Sequence, residues 1–195
     1  YLPHLRNAVY RHLIAADVAL DDAEGKTGPW VTLEIGDFNL DARQEVKLEN
    51  ESLAVWVRPA LGGHVYELDV KRVGVNLLAT LDRRPEPYHA AFRAAADQAD
   101  DAFVSPDRST TRRPEHNALE QLLIYDRQPR KAFVDHFYPL NVTLEDLALG
   151  RDVEVGDAAT GTYLSRVRRG ADAVALVMER PCRVEGHVLL MRKTL

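Results

Sequence analysis

Leu2, Leu5, Val9, Leu13 and Ala16 recur every three or four residues at the start of the chain. That spacing places them on one face of an amphipathic helix, predicted over residues 2–19. Pro3 fits the first turn, where its missing donor would be unpaired anyway. The helix should stop before Gly25, and residues 26–29, Lys-Thr-Gly-Pro, read as a turn. From Trp30 the period falls to two. Trp30, Thr32 and Glu34 alternate with Val31, Leu33 and Ile35, and Val46 and Leu48 alternate with Glu45, Lys47 and Glu49. Residues 53–58 are rich in strand-forming side chains and stop at Pro59. Leu61-Gly62-Gly63 reads as a turn before a strand over residues 64–70.

The middle has another texture. Residues 82–118 carry Arg83, Arg84, Pro85, Pro87, Pro106 and Pro114. An Ala- and Asp-rich stretch at 90–102 predicts a short helix, and 104–116 an exposed, mobile loop. Residues 120–125 fit a short helix or strand, and 131–137 a strand. Residues 143–149 predict a single helical turn, with Thr143 as cap, Asp146 three residues on, and Gly150 as the stop. Alternation then returns: residues 161–168 and 173–179 flank Arg169-Gly170-Ala171-Asp172 as a hairpin, and 187–193 runs into the chain end. The expectation is a mainly β chain: an antiparallel β-sandwich with a leading amphipathic helix and a short helical insertion. Residues 1–25 would form the helix and 26–195 the sandwich. A sheet that stops in a strand leaves edge groups unpaired, so the sandwich is expected to be incomplete at its C-terminus.

Composition narrows the class. The chain has 195 residues, room for one domain with its own core, and 46% hydrophobic residues mark it as globular. A formal net charge of −5 makes nucleic acid a poor partner. No apolar run approaches the roughly 20 residues that span a membrane. One cysteine, Cys182, excludes an internal disulfide framework and a multi-cysteine zinc site, and fits a cytoplasmic origin. Tyr1 opens the chain where an initiator Met would stand, so the sequence reads as a segment of a longer protein.

Motifs for common chemistries are missing: no phosphate loop, no nucleophile elbow and no zinc helix. Asp37, Asn39 and Asp41 alternate in five residues, a pattern able to aim oxygens at calcium. The EF-hand match is incomplete, since Ala42 and Leu48 stand where glycine and glutamate belong; Glu45 or Glu49 would have to substitute. The other reading is a solvated polar turn. The seven histidines are scattered with no pair at ligand spacing on one element. Asp135 and His136 would face opposite sides of a strand, so they do not form a simple acid/base dyad. Arg83 and Arg84 beside Tyr88 and His89 fit either a polar loop that contacts sugar or an interface, or a solvated turn. The aromatic side chains stack on sugars if exposed, but alternation sends about half of them to the core.

Several stretches, in order, resemble one family. They are Tyr1 through Tyr10 (YLPHLRNAVY), residues 37–41 (DFNLD) with 45–50 (EVKLEN), 59–69 (PALGGHVYELD), 76–84 (NLLATLDRR) with 86–89 (EPYH), and 129–137 (PRKAFVDHF). Together they are similar to the end of the helical region and the carboxy-terminal β domain of glycoside hydrolase family 57 4-α-glucanotransferases and α-amylases. The resemblance implies a mutarotase-like or jelly-roll sandwich. It also implies a parent enzyme whose Glu nucleophile and Asp acid/base lie in an amino-terminal barrel absent from this chain. No catalytic residue is therefore carried over. The expected role is a non-catalytic accessory domain that packs on the barrel and contacts α-1,4-glucan, with Arg83, Arg84, Tyr88, His89, Asp135 and His136 as contact residues. The alternatives are a stand-alone mutarotase-like sugar enzyme using a histidine and a carboxylate, and a purely structural interaction domain.

Overall fold

A computed structural model describes residues 2–90, 123–151, 153–171 and 173–195. The loop expected at 104–116, most of the helix expected at 90–102 and the start of the 120–125 segment lie outside these residues. The chain divides into two compact units. One comprises Tyr1–Leu81, Arg130–Val142 and Val153–Leu195, the other Asp82–Pro129 and Thr143–Asp152.

The first unit is a sandwich of two antiparallel sheets with a helix. Strands β1 (Val31–Gly36), β2 (Glu45–Asn50), β3 (Leu53–Arg58), β4 (His64–Val70) and β5 (Val75–Asn76) form one sheet in sequence order. Strands β6 (Leu164–Arg169), β7 (Val174–Val184) and β8 (His187–Thr194) form the other. The strands predicted within 30–35, 45–49, 53–58, 64–70, 161–168, 173–179 and 187–193 are therefore present, and β6 and β7 pair as the predicted hairpin. Register explains the core. Leu33 pairs with Leu48, Leu48 with Val55 and Val55 with Leu68, a rung of aliphatic side chains across four strands. Val46 pairs with Val57, and Val57 with Val65. These side chains pack against Tyr163, Leu176 and Met178 from the second sheet side, which removes both apolar faces from water. Strict alternation along β4 would put Val65 on the face of Glu67 and Asp69. A bulge opposite the Trp56/Val57 step leaves Tyr66 as the extra residue and turns Val65 inward. Cys182 is fully buried, as a small hydrophobe would be.

Residues 131–137, expected as a strand, make one isolated bridge, Ala132 with Val65. Phe133 adopts φ 62°, which no strand accommodates. In the second unit, α2 (Leu144–Ala148) begins with the expected capping box: Thr143 accepts from the Asp146 amide, and Asp146 accepts from the Thr143 amide.

Helix α1 (Pro3–Ala23) ends before Gly25, as expected. Its orientation differs from the simplest reading of its pattern. The buried residue is Ile14, flanked by half-buried Arg6, Tyr10, Asp17, Val18 and Asp21. The periodic apolar residues Leu2, Leu5, Val9 and Leu13 are each more than half exposed. The cause is the outer face of the first sheet, which α1 covers. That face carries the rungs Thr32, Glu49, Ala54, Asp69, Asn76 and Glu34, Lys47, Trp56, Glu67. Such a surface needs ions rather than leucines. Lys71, just after β4, supplies one: its Nζ lies 2.7 Å from Asp21 Oδ2 on α1 and 2.8 Å from Glu49 Oε1 on β2. Lys47 lies 2.9 Å from Glu49 and 3.8 Å from Asp17. Trp30 takes Lys71 and Lys26 against its ring, at 4.6 and 4.8 Å from the centroid. No helix among the described residues is long and apolar enough to cross a membrane.

Lys71→Met keeps most of the volume but leaves buried Glu49 with Lys47 alone and half-buried Asp21 with Lys26 alone. It should lower unfolding free energy by about 1–3 kcal/mol in urea denaturation. A loss below about 1 kcal/mol, the usual value of an exposed pair, would show that water rather than Lys71 balances these carboxylates.

Candidate functional site

The candidate residues fall into three groups, each organised by buried or half-buried charge. At the turn after β1, Asp37 Oδ1 accepts from the Asp41 amide (3.0 Å) and Oδ2 from the Ala42 amide (2.8 Å). Asn39 Oδ1 also accepts from Asp41 N (3.0 Å), and Asp41 Oδ1 accepts from Arg43 N (3.0 Å). Arg58 Nη2 donates to Asp41 Oδ2 at 2.8 Å. Fully buried Glu45 accepts from Phe38 N and Asn39 Nδ2, both at 3.0 Å. The oxygens that the sequence offered to calcium are thus engaged by amides and a guanidinium. Among the described residues no group of three or more His, Cys, Asp or Glu side chains is placed to hold a metal ion.

The second group lies in the second unit. Arg83 donates to Asp126 from its amide (2.6 Å) and its Nε (2.7 Å), and the Asp126 amide returns a bond to Arg83 O (2.7 Å). Arg84 Nε donates to Glu86 Oε1 at 3.0 Å. His89 Nδ1 accepts from the Glu86 amide (3.1 Å) and lies 3.1 Å from Tyr125 Oη. Tyr88 packs edge-on against His89 and is 59% exposed. The structure therefore brings Arg83, Arg84, Tyr88 and His89 into one local cluster. Its organisers, Asp126 and Tyr125, were not among the expected residues. A cavity of about 600 Å³ is lined by residues 123–127 and 149–151 of the same unit.

The third group is the loop over 131–138 in the first unit. Asp135 and His136 do take different partners. Asp135 Oδ2 pairs with Lys193 Nζ (2.7 Å) and accepts from Tyr163 Oη (3.3 Å). His136 Nδ1 lies 3.0 Å from Glu154 Oε1, and its ring stacks on Tyr138 with centroids 5.9 Å apart. Lys193 was invisible as a site residue, yet it is the hub. On β8 it pairs with Met178, which points it into the sandwich. There its Nζ donates to Gly62 O at 2.7 Å and to Phe133 O. It also sits 4.8 Å from the Tyr163 ring centroid. Burial, then the neighbouring Asp135 carboxylate, pushes the Tyr163 hydroxyl well above its ordinary pKa.

Two further buried groups shape the electrostatics. Burial holds His64 down to about 4, helped by the cations of Arg58, Lys131 and Lys193. Burial, then the adjacent Glu67 carboxyl, pushes Asp69 up to about 7, and burial raises Glu67 as well. Both carboxyls lie on the charged face beneath α1, within the field of Asp17 and Lys47.

Comparison with known proteins places this arrangement. Residues 37–195 match the family model described as "Alpha-amylase/4-alpha-glucanotransferase, C-terminal". A 4-α-glucanotransferase of Thermococcus kodakarensis is 36% identical over 97% of this chain and 28% of its own length. An α-amylase of Pyrococcus abyssi is 34% identical over 87% of this chain and 25% of its own length. The crystal structure of 4-α-glucanotransferase from Thermococcus litoralis superposes with a TM-score of 0.66 at 27% identity, over 98% of this chain and 25% of that one. The chain thus spans about a quarter of the length of these relatives.

The two buried titrations act in opposite directions on stability. The folded state keeps the Asp69 proton that the unfolded chain releases near its ordinary pKa of 3.8, so this site loses stability as pH rises from about 4 to about 7. His64 refuses a proton that the unfolded chain accepts near 6.5, so it loses stability as pH falls from there towards 4. Asp69→Asn should therefore raise Tm relative to wild type more at pH 8 than at pH 5. An equal Tm difference at both values would refute the buried-proton assignment.

Proposed function

This chain belongs to the alpha-amylase/4-alpha-glucanotransferase C-terminal family, and we propose that it is a non-catalytic accessory domain of an α-glucan-processing enzyme of the glycoside hydrolase family 57 type. In this reading the chemistry resides in a catalytic barrel elsewhere in the parent chain, and this domain docks on it. The observation that carries the docking is the outward stripe of α1. Leu2, Leu5, Val9, Leu13 and Leu20 are 53–61% exposed, and with Ala16 they run roughly 27 Å along the helix at 1.5 Å per residue. The face of α1 seated on the sheet, through Ile14, Asp17 and Asp21, lies roughly 110° round the helix from the stripe, which stays exposed. The family match begins at residue 37, after α1, whereas the Thermococcus kodakarensis relative aligns over 97% of this chain. That supports α1 as a junction element between the sandwich and the rest of a parent. A continuous apolar stripe of this size is an interaction surface by the ordinary physics of burial.

A second reading, a stand-alone mutarotase-like sugar enzyme, draws on the contact of His136 with Glu154, which joins a histidine to a carboxylate. The two readings separate in one assay. The accessory-domain reading expects no glucose release and no accelerated anomer exchange when the chain is incubated with maltoheptaose and with glucose; turnover of either would overturn it. Docking is tested with Leu5→Asp/Leu13→Asp. In the isolated chain the pair should change stability by no more than about 0.5 kcal/mol per site, since both positions are exposed. In the full-length parent it should split one calorimetric transition into two and expose the region around residue 25 to protease. A single, unshifted transition in the parent would remove the stripe as the docking surface.

A further inference from the structure

We propose that the loop over 131–138 is a rigid sugar-stacking platform, with the Phe133 ring as the surface on which a pyranose of an α-glucan lies and Asp135 as a hydroxyl acceptor beside it. This inference rests on the α-glucan reading above and assigns the contact to one loop.

Phe133 is the anomaly that leads to it. Its φ of 62° is a left-handed conformation that glycine or asparagine enters readily and an aromatic residue enters at a cost. The core does not recover that cost, because the Phe133 side is 51% exposed. The conformation is instead held from below. Lys193, 7% exposed, donates to the Phe133 carbonyl and to Gly62 O and pairs with Asp135. The chain on either side is also tied down. Ala132 exchanges both backbone bonds with Val65 at 3.0 and 3.2 Å, and the Phe137 carbonyl accepts from Val155 N at 2.9 Å. The result is an irregular segment with little freedom left, carrying an aromatic ring outward.

The neighbouring groups define the ligand class. Asp135 keeps 32% of its side chain exposed, and both its bonds fall on Oδ2, leaving Oδ1 without a donor among the described residues. Three residues beyond Phe133, His136 stacks on Tyr138 and is fixed by Glu154. An aromatic face next to anchored hydrogen-bonding groups matches a pyranose, which has an apolar C–H face and a rim of hydroxyls. A purely apolar protein surface would instead desolvate Asp135 Oδ1 without giving it a donor. Pre-organisation by Lys193 lowers the ordering cost of binding.

The test titrates the 195-residue chain with maltoheptaose by calorimetry, with Phe133→Gly, Phe133→Ala and, in the other unit, Tyr88→Ala. Phe133→Gly should raise Tm, because glycine takes the backbone conformation freely, and should weaken maltoheptaose binding by about tenfold or more. Phe133→Ala should weaken binding similarly without the gain in Tm. Loss of affinity in a variant more stable than wild type cannot be ascribed to unfolding. If wild type binds and only Tyr88→Ala abolishes binding, the platform is wrong while the α-glucan reading stands. If both Phe133 variants keep full affinity but loosen the docked parent, the ring is a protein contact and the platform is wrong. If wild type binds no maltoheptaose at millimolar concentration, the platform is wrong, and the accessory-domain reading rests on the α1 stripe alone.

Discussion

Lys71 is the cation on which the seating of α1 depends. A five-stranded sheet with both faces covered needs a partner for each. One face is aliphatic and meets the second sheet. The other carries Glu49, Lys47, Glu67 and Asp69, and no leucine stripe can cover it without stranding those charges. The helix meets it with Asp17 and Asp21, which adds negative charge to an already acidic surface. Lys71, with only 4% of its side chain exposed, bridges the two elements by pairing with Asp21 and Glu49. Buried ion pairs of this kind specify an arrangement more than they stabilise it. Here they specify which side of α1 faces inward, and thereby leave the leucine side outward.

Lys193 does for the opposite end of the sandwich what Lys71 does for the helix. It reaches into the fold from β8 and binds two backbone carbonyls and a carboxylate. The carbonyls belong to the turn at Gly62 and to the loop at Phe133, segments far apart in sequence. Gly62 shows how closely these parts fit. A Cβ there would lie 2.2 Å from the Ala159 carbonyl oxygen, and φ is 64°, so only glycine suits the position. The buried lysine thus converts an irregular segment into a defined surface. The same economy recurs in the second unit, where Asp126 gathers the amide and guanidinium of Arg83. In each case one buried or half-buried charge orders a loop that no regular hydrogen-bond ladder reaches.

These placements support the proposed accessory role. The domain offers a helix face left exposed among the described residues and loops whose polar groups are fixed in advance, and it belongs to a family that forms the C-terminal part of much longer enzymes. The buried His64 and Asp69, held down and pushed up by burial, lie inside the scaffold and tune its pH range.

Local rules were enough for the strands, the hairpin and the α2 cap. Period-two alternation marks a strand wherever one face is buried, and Thr143 with Asp146 satisfies helix-end amides without help from the rest of the fold. The sequence alone also determined the family, through short stretches kept in order. It showed that α1 has an apolar face, but not where that face points, because periodicity reports a stripe and is silent about its partner. It marked residues 131–137 as strand-like, because Phe133, Val134 and Phe137 have strand-forming side chains. Only the fold, by placing Lys193 beneath the Phe133 carbonyl, selected the left-handed turn instead. The bulge at Tyr66, the reach of Lys71 and Lys193 and the pairing of Arg83 with Asp126 were likewise decided by tertiary structure. Each depends on groups between 22 and 131 residues apart in the chain or on register between strands, and a local pattern carries no record of either.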